Sequence, residues 1–369
     1  MSASSMSRKK SALAVPDPSP HGTVAEIDAL FETAGLVRSL RGNSAGITRR
    51  MRMERFTADE LAQPAPEPAI ADNGVQILQV SAWRAHSHGS WLWHGFSTRK
   101  GGLSRAYCAD DVEGDLNLGF TAGDDRATVV RNRSLLVEAV SGDARTPLIT
   151  LRQIHSSVLV HSVAADAGRQ APWKADGLMT DEPGLLLAIQ TADCIPVLVA
   201  DRKRRVVAAF HAGWRGTVKR MVESGVGRMR LEFGCRPEDL TAAIGPGAGV
   251  CCYAVGEEVR SSFESQFVYA DELFREVDSY DAVHNKYPML FLTQRAPGHS
   301  PLGPDLHVDL VEANRRQLLD AGLKPRSIHA SGGCTLCDRE LFFSHRGSQG
   351  HAGRMMSVIG IRPGSANKH

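Results

Sequence analysis

Three apolar runs of strand length, Leu185–Ile189, Val197–Ala200 and Val206–Phe210, follow one another with turn-forming residues at their borders. Runs this short read as strands, not as helices of ordinary length. The polar Asp201-Arg-Lys-Arg-Arg205 joins the last two, so a hairpin is expected there. Cys194 stands just before the first strand of that pair and His211 just after the second, and a hairpin brings them to the same end of one sheet. Beyond His211, apolar Val218, Met221, Val222, Val226 and Met229 recur at one-face spacing and predict an amphipathic helix. A second helix is announced by Asp309 with Glu312 three residues on, and closed by Gly322.

These alternating patterns run from Val75 to about Arg362 as one unit, and a short tail, residues 363–369, follows. Residues 1–74 read differently: a Ser/Pro opening, a short helix near Ala25–Leu36, an Arg-rich piece ending at Arg55, and the extended, linker-like Gln63-Pro-Ala-Pro-Glu-Pro68. They are expected to be a poorly ordered extension without chemistry. An organelle transit peptide is the lesser reading, because Glu26, Asp28 and Glu32 interrupt the basic character such leaders have.

Balanced totals of 43 basic and 41 acidic residues exclude a strong global field for nucleic acid or anionic lipid, while leaving room for a small anionic ligand. No apolar stretch approaches the roughly 20 residues of a membrane span, and the start lacks a secretory core, so a soluble cytoplasmic protein is expected. Seven cysteines without framework spacing read as reduced thiols.

Some of those thiols are then available to metal. In Thr191-Ala-Asp-Cys-Ile-Pro196 a thiol and a carboxylate occupy a tight inter-strand connection where Gly, Asn or Ser is commoner. Cys194 alone is as well explained as a small buried residue, and His211 alone as a strand cap. Together at one sheet end, with His155 of Leu151-Arg-Gln-Ile-His-Ser156, they offer two imidazoles and a thiolate. That set suits zinc, and three protein ligands leave a fourth position open, as in catalytic centres. The same residues fit a different chemistry, Cys194 as a nucleophile with His211 or His155 as its base.

Arg215, between glycines at the entry to a helix, is a candidate anion ligand or part of a packing turn. Arg99 in Ser97-Thr-Arg-Lys-Gly-Gly102 poses the same choice between anion site and solvated turn. Cys334-Thr-Leu-Cys337 has the residue types of a zinc ribbon with Cys251 and Cys252, but adjacent cysteines seldom form the second arm of such a site, which argues against it. The His-x-Glu and Pro-Cys-x-x-Cys pair of cytidine deaminases is absent. A multicopper cluster needs several His-x-His pairs, and the chain has only His86-Ser-His88.

Thr191-Ala-Asp-Cys-Ile-Pro196, His211-Ala-Gly-Trp-Arg-Gly216, Ile244-Gly-Pro246 followed by Cys252-Tyr253, and Cys334 to Arg354 resemble, in order, the motifs of the multicopper-polyphenol-oxidase-like, laccase-domain or YfiH-like family. The resemblance covers about Trp91 to Ile361. It implies an α+β fold, a layered α/β/β/α sandwich of mixed sheets flanked by helices, similar to cytotoxic necrotizing factor catalytic domains. It implies purine nucleoside phosphorolysis of adenosine, inosine and S-methyl-5'-thioadenosine with phosphate, and adenosine deamination. It implies zinc, with copper as the alternative occupant, on His155, Cys194 and His211. Asp193, Cys194 and His211 are the implied catalytic residues, Asp193 as proton carrier, with Arg99, Asn117, Arg215 and Arg346 on substrate or phosphate. A monomer or homodimer, and a biological link to peptidoglycan precursor editing, complete what it implies. Ala254, where a Glu commonly follows the Cys-Tyr pair, and Ala352-Gly-Arg354, in place of Thr-Gly-Arg, depart from the family pattern. A Cys-His thiol hydrolase or amidase, and a non-catalytic metal- or nucleoside-binding protein, are the rival readings.

Overall fold

Side-chain alternation along the central strands decides how the layers stack. The computed structural model describes residues 55–84, 91–108, 113–169, 172–278, 304–330 and 332–364. The helix expected near Ala25–Leu36 and His86-Ser-His88 lie outside the described residues. The strands are β1 (Arg55–Phe56), β2 (Ala69–Ile70), β3 (Gln76–Leu78), β4 (Leu92–Ser97), β5 (Leu148–Thr150), β6 (Leu159–His161), β7 (Gly177–Thr180) and β8 (Leu186–Thr191). They continue as β9 (Ile195–Asp201), β10 (Val206–Ala212), β11 (Leu240–Ile244), β12 (Phe274–Val277), β13 (Asp305–Val308), β14 (Ile328–Ala330) and β15 (Met355–Ile361).

The expected hairpin is β9–β10, antiparallel, with Val206 opposite Asp201 and His211 opposite Pro196. Its turn is closed by Asp201, whose Oδ1 accepts from the N–H groups of Lys203 and Arg204. The hairpin sits in a six-stranded mixed sheet of order β14-β11-β9-β10-β7-β6, and a second such sheet has the order β2-β3-β4-β15-β8-β5. Leu187 and Ile189 of β8 and Ile359 and Ile361 of β15 share one apolar cluster with Leu198, Ala200, Val207 and Ala209 of the hairpin, so the two sheets meet face to face. The intervening residues Leu186, Ala188, Met356 and Val358 face the other way and bury Leu136, Val137 and Val140 of the helix Arg126–Ser141. On the opposite outer face the helices Met221–Phe233 and Leu310–Asp320 cover the hairpin sheet. The order helix, sheet, sheet, helix is the α/β/β/α sandwich that the family resemblance implies.

The helix expected after His211 is two helices, Trp214–Val218 and Met221–Phe233, because Arg220 takes a left-handed φ of 55° between them. Val218 consequently falls on the short first helix, while Met221, Val222, Val226 and Met229 form the buried stripe of the second. Asp309 caps the helix Leu310–Asp320 by accepting from the Glu312 N–H, and Gly322 follows its end at a φ of 96°. The extension expected over residues 1–74 meets folded backbone from Arg55 onward: β1 pairs with β12 and β2 with β3. The Pro-rich stretch between them lies over Gly332 and Gly333, where its extended backbone fits a surface without side chains. Among the described residues no helix is long and apolar enough to cross a membrane.

Helix and sheet approach closely at Gly225, where an added Cβ would stand 2.4 Å from the Phe210 ring. Gly225→Ala would gain about 1 kcal/mol of helix propensity but must displace a buried ring, an overpacking cost of about 1–3 kcal/mol. Chemical denaturation should therefore show Gly225→Ala destabilised and Gly225→Ala/Phe210→Leu partly restored; a more stable single variant would disprove the close approach.

Candidate metal centre

β8 ends at Thr191 in one sheet and β9 begins at Ile195 in the other, so Ala192–Cys194 carry the chain across the mouth of the sandwich. The crossing bends sharply at Asp193, whose φ of 93° is unusual for a residue with a side chain. Three bonds hold it there: its Oδ1 accepts from Thr335 Oγ1 at 2.7 Å, its Oδ2 from the Arg346 N–H at 2.7 Å, and its carbonyl from the Ala248 N–H at 2.7 Å. Cys194 is thereby delivered to the end of the hairpin where His211 stands.

The third residue arrives on a loop wrapped around one buried carboxylate. Asp176 accepts from the backbone N–H groups of Ile154 (3.2 Å), His155 (3.0 Å) and Ser156 (2.6 Å) and from Ser156 Oγ (2.6 Å). His155, at a φ of 57°, is left projecting from this turn. The same carboxylate lies 2.8 Å from His211 Nδ1, which occupies that nitrogen and leaves Nε2 to face the other ligands. The two imidazole centroids are 5.0 Å apart, Cys194 Sγ is 3.9 Å from His155 Nε2, and one donor atom from each of the three residues lies within 4.8 Å of the others. Tetrahedral zinc with ordinary bond lengths places sulfur and nitrogen about 3.6 Å apart, so the donor set and its spacing fit a zinc-class ion. Gly213 makes room for it: a Cβ there would be 2.7 Å from Cys194 Sγ.

Charge reinforces the geometry. Burial pushes the Asp176 pKa up, but the hydrogen bonds from His211 and Ser156 outweigh it and hold the carboxyl well below the usual carboxylate range. Burial likewise opposes ionisation of Cys194, yet His211 and His155 bring its thiol down to about 6. His211, disfavoured as a cation by burial, is raised to about 9 by the Cys194 thiolate and Asp176. These directions favour a thiolate facing an imidazolium, whose proton charge a metal ion bound there would replace.

The other sequence-predicted residues divide. Arg346 has its guanidinium 5.3 Å from the centre of the Tyr253 ring and donates to the Ala254 carbonyl. Arg215 is exposed and lies over the Trp214 ring at 4.3 Å. The charges of both act on the Tyr253 phenol, as do those of Cys194 and Asp193. Tyr253 itself was not picked out by sequence reasoning as a functional residue; burial, with Cys194 nearby, pushes its phenol up to about 12 and keeps it a neutral donor. Arg99 and Asn117 both have partners within the protein. Arg99 donates to both oxygens of Asp115 and to the carbonyls of Tyr107 and Arg339. Buried Asn117 donates to Gly119 O and Asp124 and accepts from the N–H groups of Gly119 and Arg354, which exhausts its amide. The carboxylate of Asp193, expected to carry protons, is likewise engaged at both oxygens. A cavity of about 190 Å³ elsewhere, lined by Trp83, Trp91, Arg202, Thr241, Arg326 and His329 among others, includes none of these residues.

Asp176 and Gly213 are further residues that sequence reasoning passed over. Gly213 stood inside a quoted motif, whereas a single carboxylate in Lys174-Ala-Asp-Gly177 has no spacing partner to flag it.

Comparison with known proteins points the same way. Residues 93–362 match the family described as multi-copper polyphenol oxidoreductase laccase. The chain is 35% identical over 277 residues to a purine nucleoside phosphorylase YlmD of Geobacillus stearothermophilus, covering 73% of this chain and 89% of that protein. It is 37% identical over 271 residues to a purine nucleoside phosphorylase of Deinococcus radiodurans, covering 73% and 88%. The crystal structure of YlmD from Geobacillus stearothermophilus superposes with a TM-score of 0.63 at 29% identity, over 82% of this chain and 99% of that one. The Bacillus licheniformis hypothetical protein YfiH is as similar, with a TM-score of 0.63 at 29% identity over 81% and 100%.

Two measurements probe the centre. Asp176→Asn keeps the shape but weakens the hold on both histidines, so competition with a chromophoric chelator should show zinc bound about 10–100-fold more weakly; unchanged affinity would remove Asp176 from the centre. In metal-stripped protein, a thiol whose pKa is depressed is reactive above its folded pKa and loses reactivity as pH falls through it. Peptide-resolved alkylation of Cys194 should accordingly have its midpoint near pH 6, against about 8.5 for a free thiol, and a midpoint at the free-thiol value would contradict the His211 pairing.

Proposed function

Since the chain belongs to the multi-copper polyphenol oxidoreductase laccase family, we propose that it is a purine nucleoside phosphorylase acting at a zinc centre on His155, Cys194 and His211, with adenosine deamination as a second reaction. Relatives at 33–37% identity carry the phosphorylase name. The observation that carries the reading is local. Two imidazoles and a thiolate lie within 4.8 Å of one another, and the charges of Cys194, Arg215 and Arg346 all act on the neutral phenol of Tyr253.

Adenosine, inosine and S-methyl-5'-thioadenosine are the substrate class, and residues 75–362 the catalytic unit. Phosphorolysis breaks the bond between base and sugar and forms one from the anomeric carbon to a phosphate oxygen. The nucleophile is an anion, and Arg215 and Arg346 are the cations left to orient it, since Arg99 is committed to Asp115. Tyr253, kept protonated, is a hydrogen-bond donor for the departing purine. Asp193 serves by position: its clasp on Thr335 and Arg346 fixes Cys194 and brings the Arg346 backbone to the site. A zinc ion held by the three residues supplies Lewis acidity, and copper is the alternative occupant. In deamination water forms a bond to the purine carbon bearing the exocyclic amine, and the bond to that amine breaks to release ammonia, so the two reactions compete for one bound adenosine at different carbons.

One observation favours a rival, a Cys-His thiol hydrolase: the depressed Cys194 thiol beside His211 is the activated pair such an enzyme needs. Incubating the protein with each nucleoside, with and without phosphate, and identifying the products separates the readings. Phosphate should be required for release of free base, and adenosine without phosphate should give inosine. Arg215→Met or Arg346→Met should raise the KM for phosphate about 10–100-fold, the loss of one or two charge-assisted bonds, with little change in that for nucleoside. His155→Ala, Cys194→Ala and His211→Ala should each lose metal and turnover together. Turnover by metal-free protein would transfer the assignment to the thiol hydrolase, and no turnover of any nucleoside would reduce it to a binding protein.

A further inference from the structure

Away from His155 and His211, four thiols converge that the proposed reaction does not use. Cys251 and Cys252 lie on a turn after β11, and Cys334 and Cys337 on a turn after β14. Their four Sγ atoms all lie within 4.8 Å of one another. Cys337 Sγ is 3.4 Å from that of Cys251 and 3.3 Å from that of Cys252, so it is shared between two neighbours and bonded to neither. The adjacency of Cys251 and Cys252 argues against a joint role in the sequence, but the backbone overcomes it. The N–H groups of Cys252 and Tyr253 both donate to the Gly249 carbonyl, and this tight turn lets both side chains reach Cys337. Gly249 completes the cradle. Its N–H donates to Cys334 Sγ at 3.3 Å, and a Cβ on it would press within 3.1 Å of Cys251 Sγ and of Cys334 Cβ.

We propose that Cys251, Cys252, Cys334 and Cys337 bind one zinc-class ion in a closed four-thiolate site, separate from the His155, Cys194 and His211 centre. Four thiolates around a single zinc stand about 3.8 Å apart along each edge of the tetrahedron, close to the spacing here. Soft sulfur donors select zinc over magnesium or calcium, and four of them leave no open position, so the ion is structural. A multi-iron cluster would hold the sulfurs further apart, as each thiolate then binds its own corner of a larger core. The two turns are also stitched together by the Thr335 N–H, which donates to the Gly247 carbonyl. From them come the Ala248 N–H and the Thr335 hydroxyl that hold Asp193 in its left-handed bend, and Tyr253 follows directly. The ion therefore braces the clasp that delivers Cys194 to the other centre.

The test is metal stoichiometry in protein purified with reductant from zinc-supplemented cells. His155→Ala/His211→Ala should retain one equivalent of zinc. Its cobalt-substituted form should show the intense sulfur-to-metal charge-transfer bands of a four-thiolate tetrahedral ion. Cys334→Ser/Cys337→Ser should lose one equivalent relative to the unaltered chain. Because that variant can fail to fold, alkylation of the unaltered protein provides an independent reading. Cys251, Cys252, Cys334 and the exposed Cys337 should be protected until a strong chelator is added, while Cys108 reacts throughout. Overturning results are a histidine double variant devoid of metal, four thiols whose alkylation ignores the chelator, or a disulfide among them in the reductant-purified chain. Metal retained by the histidine double variant without nucleoside turnover in the unaltered protein would leave this site standing and the proposed function refuted.

Discussion

The arrangement at the candidate centre depends on the carboxylate of Asp176. A buried carboxylate is costly unless its lone pairs are filled, and here they are filled by the loop that carries His155 and by the ring of His211. One charge thus does two things that zinc chemistry needs. It folds the Ile154–Ser156 backbone into a turn that projects an imidazole, and it fixes which nitrogen of His211 is left for the metal. Because both histidines answer to the same group, their separation is set by a short rigid connection and not by the flexibility of two independent loops.

The thiolate comes from a different constraint. Two packed sheets need a strand-to-strand connection somewhere across their mouth, and between β8 and β9 it is made in three residues, with Asp193 in a left-handed bend that glycine would adopt more readily. The cost is met by contacts from the turns after β11 and β14 and from Arg346. The strain is stored where the chemistry is, and the sandwich behind it is rigid enough to hold it.

The two clusters of soft ligands are accordingly different in kind. His155, Cys194 and His211 offer three donors, which would leave a fourth position on a bound ion open. The four cysteines, packed under a glycine, would make a complete coordination shell. Asp193 lies between the turns that bear the four thiols and the cysteine that completes the other set.

The strand-length apolar runs Leu185–Ile189, Val197–Ala200 and Val206–Phe210, with Asp201–Arg205 as the turn, are enough to place His211 and Cys194 at the same end of one sheet, while the layers came from the family resemblance and the register of His211 opposite Pro196 from the structure. Apolar patterns are repeated many times along a strand, and each repeat reports the same buried face. The break at Arg220, the folded backbone from Arg55 onward and the part played by Asp176 were not legible, because each rests on a single residue meeting others far along the chain. The same is true of the partners of Arg99 and Asn117, which are Asp115, Tyr107, Arg339, Gly119 and Asp124. For the cysteines, sequence spacing pointed the wrong way. Adjacency along the chain said that Cys251 and Cys252 seldom share a site, and only the tertiary turn at Gly249, brought beside Cys334 and Cys337, decided that their sulfurs meet, since a sulfur's position depends on the local bend of the backbone and on the element packed against it, neither of which residue spacing records.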